Sequence, residues 1–184
     1  GGVGEDGTVQ RLLENAGVAY AGSRAHGAWL SLNKIRAREV LRKSGIRMPR
    51  GVSFALSNGL NTAEMAQAVF SEFGPPYIVK AQNEGASHGM WFALNLLELP
   101  DAIGDVLDEY GAALIEEYVR GEEVSAGTIA DFRGQELYVL PPAHVRLPEG
   151  ARFLESSHHE EALAQHVCPS NFTHAEKRAI EEMA

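Results

Sequence analysis

Hydrophobic positions recur along this chain with two periods that alternate from segment to segment. Val9, Leu12, Leu13 and Ala16 fall on one face of a helix predicted over Asp6–Ala16, stopped by Gly17. A short strand is predicted at Val18–Ala21, and one long helix from Ala25 to Ser44, ended by Gly45 with Pro49 beyond. Val52–Leu56 alternates as a strand does. Asn61 and Glu64 have capping-box spacing and open a helix that runs to Phe73. Strands follow at Tyr77–Lys80 and Met90–Leu94, a helix at Asp101–Tyr110, and a strand at Ala113–Val119. Glu123–Phe132 and Gln135–Leu140 read as a hairpin turning at Arg133-Gly134, and residues 143–172 as irregular. Thr173 and Glu176 repeat the capping-box spacing before an apolar stripe through Ile180 and Met183. Helices alternating with strands give mixed α/β layers, an α/β (α+β) fold.

Composition narrows the function classes. The 184 residues carry a formal net charge of −9, which argues against nonspecific nucleic-acid binding. No apolar run approaches the roughly 20 residues a membrane helix needs, and no secretory signal is visible. A single cysteine, Cys168, excludes an internal disulfide framework and fits a reducing cytoplasm. Gly1 in place of a methionine, and a helical pattern still running at Ala184, read as a piece of a longer protein.

The candidate chemistry sits on two strand ends. Lys80 closes an apolar strand, and Glu84-Gly85-Ala86-Ser87-His88-Gly89 follows as a small-residue loop. Glycines at 85 and 89 permit close backbone approach to a phosphate, and Ser87 adds a hydroxyl donor. Such a lysine and loop can present an ammonium and backbone amides to a polyphosphate, although this is no Walker A loop. The bland alternative for Lys80 is a stem that covers core surface and a head in water. Glu116, Glu117, Glu122 and Glu123 are four acids within eight residues. They read either as the charged end of an edge strand or as a nucleotide hinge. In the hinge reading Glu123 accepts ribose hydroxyls, while residues 117–119, including Tyr118 and Val119, meet adenine through backbone groups.

Seven of the sixteen basic residues, from Lys34 through Arg36, Arg38, Arg42, Lys43 and Arg47 to Arg50, fall in seventeen positions. Without an aromatic platform they read as a solvated helix face, with Lys34 as the one member turned inward to phosphate. His158, His159, His166 and Cys168 match no zinc spacing, and Cys168 reads as a small buried hydrophobe.

Taken together, the segments resemble the D-alanine–D-alanine ligases of the ATP-grasp superfamily. Gly4-Glu5-Asp6-Gly7-Thr8-Val9-Gln10 is similar to the family's Gly-Glu-Asp-Gly-Thr-Ile-Gln, and Val18-Ala19-Tyr20-Ala21-Gly22-Ser23 to its Ile-Pro-Tyr-Thr-Gly-Ser. Leu32-Asn33-Lys34 resembles Met-Asp-Lys, and Tyr77–Lys80 the strand with the nucleotide lysine. The loop at 84–89 resembles Glu-Gly-Ser-Ser-Val-Gly, Ile115–Glu123 the adenine hinge and ribose glutamate, and Cys168-Pro169 a Cys-Pro-Ala segment. The resemblance implies an ATP-grasp fold in three pieces: residues 1–22 end an amino-terminal α/β domain, 23–113 form the nucleotide lid, and 114–184 begin the catalytic domain. It implies ATP and Mg²⁺ as cofactors, with D-alanine phosphorylated on its carboxylate and a second D-alanine attacking the acylphosphate to give a peptidoglycan precursor. It further implies a cytoplasmic homodimer, nucleotide contacts from Lys34, Lys80, Glu84, Gly85, Ala86, Ser87, Glu116, Glu117, Tyr118, Val119 and Glu123, and a catalytic role for Ser87. On this reading Lys34, Lys80 and Glu123 line one nucleotide cleft.

The chain departs from the pattern in places. Ala86 stands for the first of two loop serines, Asn83 replaces an arginine, and Phe153–Glu161 carries no Tyr-x-Lys-Tyr-like group. The family's Mg²⁺ ligands would lie beyond Ala184, so this stretch alone is expected to lack catalysis. A ligase for a different acid and amine, and a nucleotide-binding module without catalysis, remain as alternatives.

Overall fold

The computed structural model describes residues 2–154 and 163–184. The chain divides into two compact units, Gly1–Val119 and Arg120–Ala184.

In the first unit a four-stranded antiparallel sheet has the order β1-β4-β2-β3, built from β1 (Gly51–Ala55), β2 (Tyr77–Ala81), β3 (Met90–Ala93) and β4 (Ala112–Glu117). Strand alternation gives this sheet two different faces. Phe54, Tyr77, Val79, Ala81, Ala93, Ala113 and Ile115 point to one face, and all are buried. That face is covered by α4 (Thr62–Glu72) and α5 (Leu99–Tyr110) through Met65, Val69, Ile103, Val106 and Leu107. This is the core of the unit. The register pairs Ile78 with Glu116 and Lys80 with Leu114, so the other face carries Ile78, Lys80, Leu114 and Glu116. Lys80 of β2 and Glu116 of β4 are thereby turned away from the core and delivered side by side.

The helix predicted over Ala25–Ser44 is two helices, α2 (Ala25–Leu32) and α3 (Lys34–Lys43). Asn33 leaves the helical region at φ −78° and ψ 95°, and its side chain accepts a hydrogen bond from the Arg36 amide, so it caps α3. The break re-aims α3, and its first residue, Lys34, donates its amide to the Gln82 carbonyl at 3.0 Å. The strand predicted at Val18–Ala21 is a coil; Val18 is exposed and no strand pairs with it among the described residues. Before it, α1 spans Thr8–Asn15.

In the second unit the predicted hairpin is shorter and sharper than expected. β6 (Thr128–Phe132) pairs with β7 (Gln135–Val139) across Arg133 (φ 52°) and Gly134 (φ 74°), the two positive φ values a type I′ turn requires. Glu123–Ser125 is a separate strand, β5. It joins β8 (Ala143–Arg146) and β9 (Gln165–Val167) in a second sheet, so part of the segment expected to be irregular is strand. The last helix, α6 (His174–Met183), carries the predicted Thr173–Glu176 capping box.

Candidate functional site

Two cations meet one buried carboxylate on the face of the four-stranded sheet opposite α4 and α5. Glu116 is 5 % exposed, a burial that an ionised glutamate tolerates only when paired. Its Oε2 accepts from Lys80 Nζ at 2.6 Å, and its Oε1 from Arg38 Nη1. Arg38 also donates through Nη2 to the Pro49 carbonyl at 2.6 Å, and its side chain is only 12 % exposed. The expectation of a solvated helix face therefore fails at Arg38. Lys34, one helical turn before Arg38 on α3, donates Nζ to the Glu84 carbonyl. Burial lowers the Lys34 pKa from its ordinary value of 10.5, and the neighbouring Lys80 charge lowers it further, against the opposing pull of Glu84 and Glu116. Arg38 and Lys80 thus share the one buried carboxylate, and Lys34 lies beside Lys80 with the Glu84 carboxylate also near it.

The loop at 84–89 borders this cluster. Ala86 and Ser87 both adopt left-handed backbone, at φ 47° and 59°, and the His88 amide closes the turn on the Gly85 carbonyl at 2.9 Å. Ala86 is exposed, whereas Glu84, Gly85 and Ser87 are half-buried. The Glu5 carboxylate, from the amino-terminal Gly-Glu-Asp-Gly segment, packs against Gly85. At the loop's end Gly89 has φ 63°, and a Cβ there would lie 2.6 Å from the Ala81 Cβ and 2.8 Å from the Tyr110 ring. Gly89→Ala is therefore expected to cost about 1–3 kcal/mol through backbone strain and overlap. A thermal melt checks this; an unchanged midpoint would show that the loop is not anchored there.

The hinge residues separate by face. Glu117 points away from Glu116, toward the helix-covered side, and is held by Arg50. The Arg50 amide reaches Oε1 at 2.8 Å, and Nε reaches Oε2 at 2.7 Å. These contacts hold the Glu117 carboxyl below the ordinary glutamate pKa. The side chain of Glu117 is thus a structural clamp, and Arg50 likewise is not merely solvated. The amides of Glu117 and Tyr118 are taken by the Arg50 and Pro76 carbonyls, both at 3.0 Å. Among the described residues no acceptor meets the amide of Val119, which is exposed. The Tyr118 ring meets Phe92 edge-on at 5.2 Å on the same face as Glu116.

A match to the family model described as D-ala D-ala ligase C-terminus covers residues 40–184. The chain belongs to that family. It is 36% identical over 172 residues to a D-alanine–D-alanine ligase of Oleidesulfovibrio alaskensis, covering 91% of this chain and 50% of the relative. It is 29% identical to that of Herminiimonas arsenicoxydans over 185 residues, covering 100% of this chain and 54% of the relative. Among solved structures it matches the VanG D-Ala:D-Ser ligase of Enterococcus faecalis with TM-score 0.81 at 24% identity, over 98% of this chain and 50% of that one. D-alanyl-alanine synthetase A of Vibrio cholerae follows with TM-score 0.80, also at 24%, over 97% and 53%. The fold is the ATP-grasp fold of these ligases, and the chain spans about half the length of the family members it matches.

Against the family's motif, the first unit brings together Lys34, Lys80, Glu84 and Glu116, with Gly85, Ala86 and Ser87 on the bordering loop. Arg38 was not anticipated; strand alternation shows which way Glu116 faces, but not which cation meets it. Glu123 begins β5 in the second unit and is exposed. Of the histidine–cysteine group, His158 and His159 lie outside the described residues. His166 is exposed on β9, and Cys168 is exposed rather than buried, its Sγ 3.8 Å from the Pro141 carbonyl. Among the described residues no three His, Cys, Asp or Glu side chains are grouped to hold a metal ion, and no helix is long and apolar enough to cross a membrane.

Proposed function

We propose that the protein carrying this chain is an ATP-dependent D-alanine–D-alanine ligase, and that this chain supplies most of its nucleotide cradle. One observation carries the reading: Lys34 and Lys80 converge, on the sheet face opposite α4 and α5, beside a loop of left-handed and small residues. Phosphate oxygens are the ligands that such a cluster favours. The donors present fit a triphosphate. Among the described residues no group of acids is placed to hold the Mg²⁺ that polarises phosphates in such reactions.

The residues divide the work. Lys80, oriented by Glu116, and Lys34, oriented by the Glu84 carbonyl, neutralise phosphate charge. The loop from Glu84 to Gly89, with Ser87 as its hydroxyl donor, covers the phosphates and excludes water from a hydrolysable intermediate. Phe92, half-buried beside the Tyr118 ring, offers an apolar surface for the base, and the Val119 amide is the hinge donor. Glu123 is assigned to ribose by its motif. In functional terms 1–22 close the amino-terminal domain, 23–113 form the lid and 114–184 open the catalytic domain. The reading carries with it a cytoplasmic homodimer acting on small molecules.

A coupled ADP-release assay on the whole protein tests it. D-alanine-dependent turnover is expected. Turnover only with another amino or hydroxy acid would move the protein to a different ligase, and ATP binding without turnover would make it a binding module. The 184-residue chain alone is expected to release no ADP.

The lowered pKa of Lys34 gives a second expectation. Phosphate binds the protonated amine, so ATP affinity should fall as pH rises through the Lys34 pKa, which lies below 10.5. Lys34→Arg keeps its charge throughout this range and should abolish that fall. Identical pH profiles for the two proteins would remove Lys34 from the phosphate site.

A further inference from the structure

We infer that Arg38 is a positioning residue for nucleotide binding, acting through Glu116 on Lys80; the inference rests on the nucleotide reading of this face. Glu116 has two carboxylate oxygens and gives one to each cation: Oε1 to Arg38 and Oε2 to Lys80. Arg38 is itself fixed at a second point by the Pro49 carbonyl, at 2.6 Å from Nη2. The guanidinium therefore spans from the α3–β1 connection to the β4 carboxylate and sets the plane of that carboxylate.

The path of Arg38 across β1 depends on Gly51, the register partner of Glu116. A Cβ on Gly51 would lie 3.0 Å from Arg38 Nη2 and 3.2 Å from its Cζ. The sheet thus leaves a side-chain position empty where the guanidinium lies. Arg38 and Lys34 are four residues apart and so share one face of α3. One helix therefore sends one cation to the loop and another to the carboxylate that holds Lys80.

Two consequences follow for phosphate binding. A guanidinium stays charged at all working pH values, so it satisfies half of the Glu116 charge permanently. Lys80 is then held by one oxygen instead of being enclosed by the whole carboxylate, and its remaining donors stay available to phosphate. Without Arg38, Glu116 turns fully to Lys80, which withdraws the ammonium and cancels its charge.

The test is a double-mutant cycle read by ATP titration calorimetry, with folding checked by circular dichroism. Arg38→Met in the otherwise unchanged protein should weaken ATP binding by about tenfold, within the range over which contacting charged residues couple. In a Lys80→Ala background the same substitution should change ATP affinity less than twofold, because its route of action is gone. Equal losses in both backgrounds, or no loss in either, would overturn the positioning role. Should Arg38→Met fail to fold, Arg38→Lys carries the same cycle. It keeps the charge but replaces the planar two-point fork with a flexible ammonium, and should show a smaller loss with the same dependence on Lys80. If Lys80→Ala alone leaves ATP affinity unchanged, the nucleotide reading itself fails and this inference with it. If Lys80→Ala weakens binding while Arg38→Met does not, only the positioning role falls.

Discussion

Glu116→Leu should lower the melting temperature far more than Glu117→Leu, although the two glutamates are adjacent. The carboxylate of Glu116 is nearly inaccessible and bonded to both Arg38 and Lys80. Removing it leaves Arg38, itself 12 % exposed, facing an apolar leucine. Losing one partner of a buried pair costs about 3 kcal/mol or more, which for a chain of this size is a drop of roughly 6–12 °C. The Glu117 side chain is 27 % exposed and pairs with Arg50, which is 63 % exposed. A pair so accessible contributes at most about 1 kcal/mol. Differential scanning calorimetry of the two variants decides the matter. Equal shifts would mean that Glu116 is not the buried centre of the cluster.

Lys80→Ala should weaken ATP binding by roughly 10- to 150-fold, the equivalent of about 1.5–3 kcal/mol for one charge-assisted contact. Its effect on folding should be smaller than that of Glu116→Leu, because Glu116 keeps Arg38 as a partner. The two substitutions therefore separate binding from stability within one cluster. Calorimetric titration with ATP gives the affinity. An unchanged value would remove Lys80 from the site.

What the sequence discloses follows the range of each interaction. The capping boxes at Asn61–Glu64 and Thr173–Glu176 were readable because both hydrogen bonds are local and reciprocal. Tyr77–Lys80 was readable as a strand because a short apolar run with β-branched Ile78 and Val79 closes on a lysine. The break at Asn33 was hidden, since the pattern around it continues to look helical and only the Asn33 side chain, bonding the Arg36 amide, starts a new helix. Val18–Ala21 looked like a strand by composition, but a strand needs a partner, and pairing is not written in the segment itself. β8 and β9 were missed for the converse reason: each is short, and they pair with each other across about twenty residues. At the candidate site, the lysines, the loop and the acids could be picked out as residue types. That Glu116 and Glu117 do opposite jobs follows from alternation along β4 once its register is known. That Arg38 belongs to the cluster depends on the approach of α3 over Gly51, a tertiary fact with no local signal.

The central claim is that ATP binds on the Lys80–Glu116 face beneath the loop at 84–89. Amide hydrogen exchange of this chain, measured by mass spectrometry with and without Mg²⁺-ATP, tests it most directly. The account predicts slower exchange on ATP addition in peptides covering 82–90 and 117–121, and no change in the β6–β7 hairpin at 128–139. Protection confined to that hairpin, or none at 82–90 under conditions where calorimetry shows ATP bound, would contradict it.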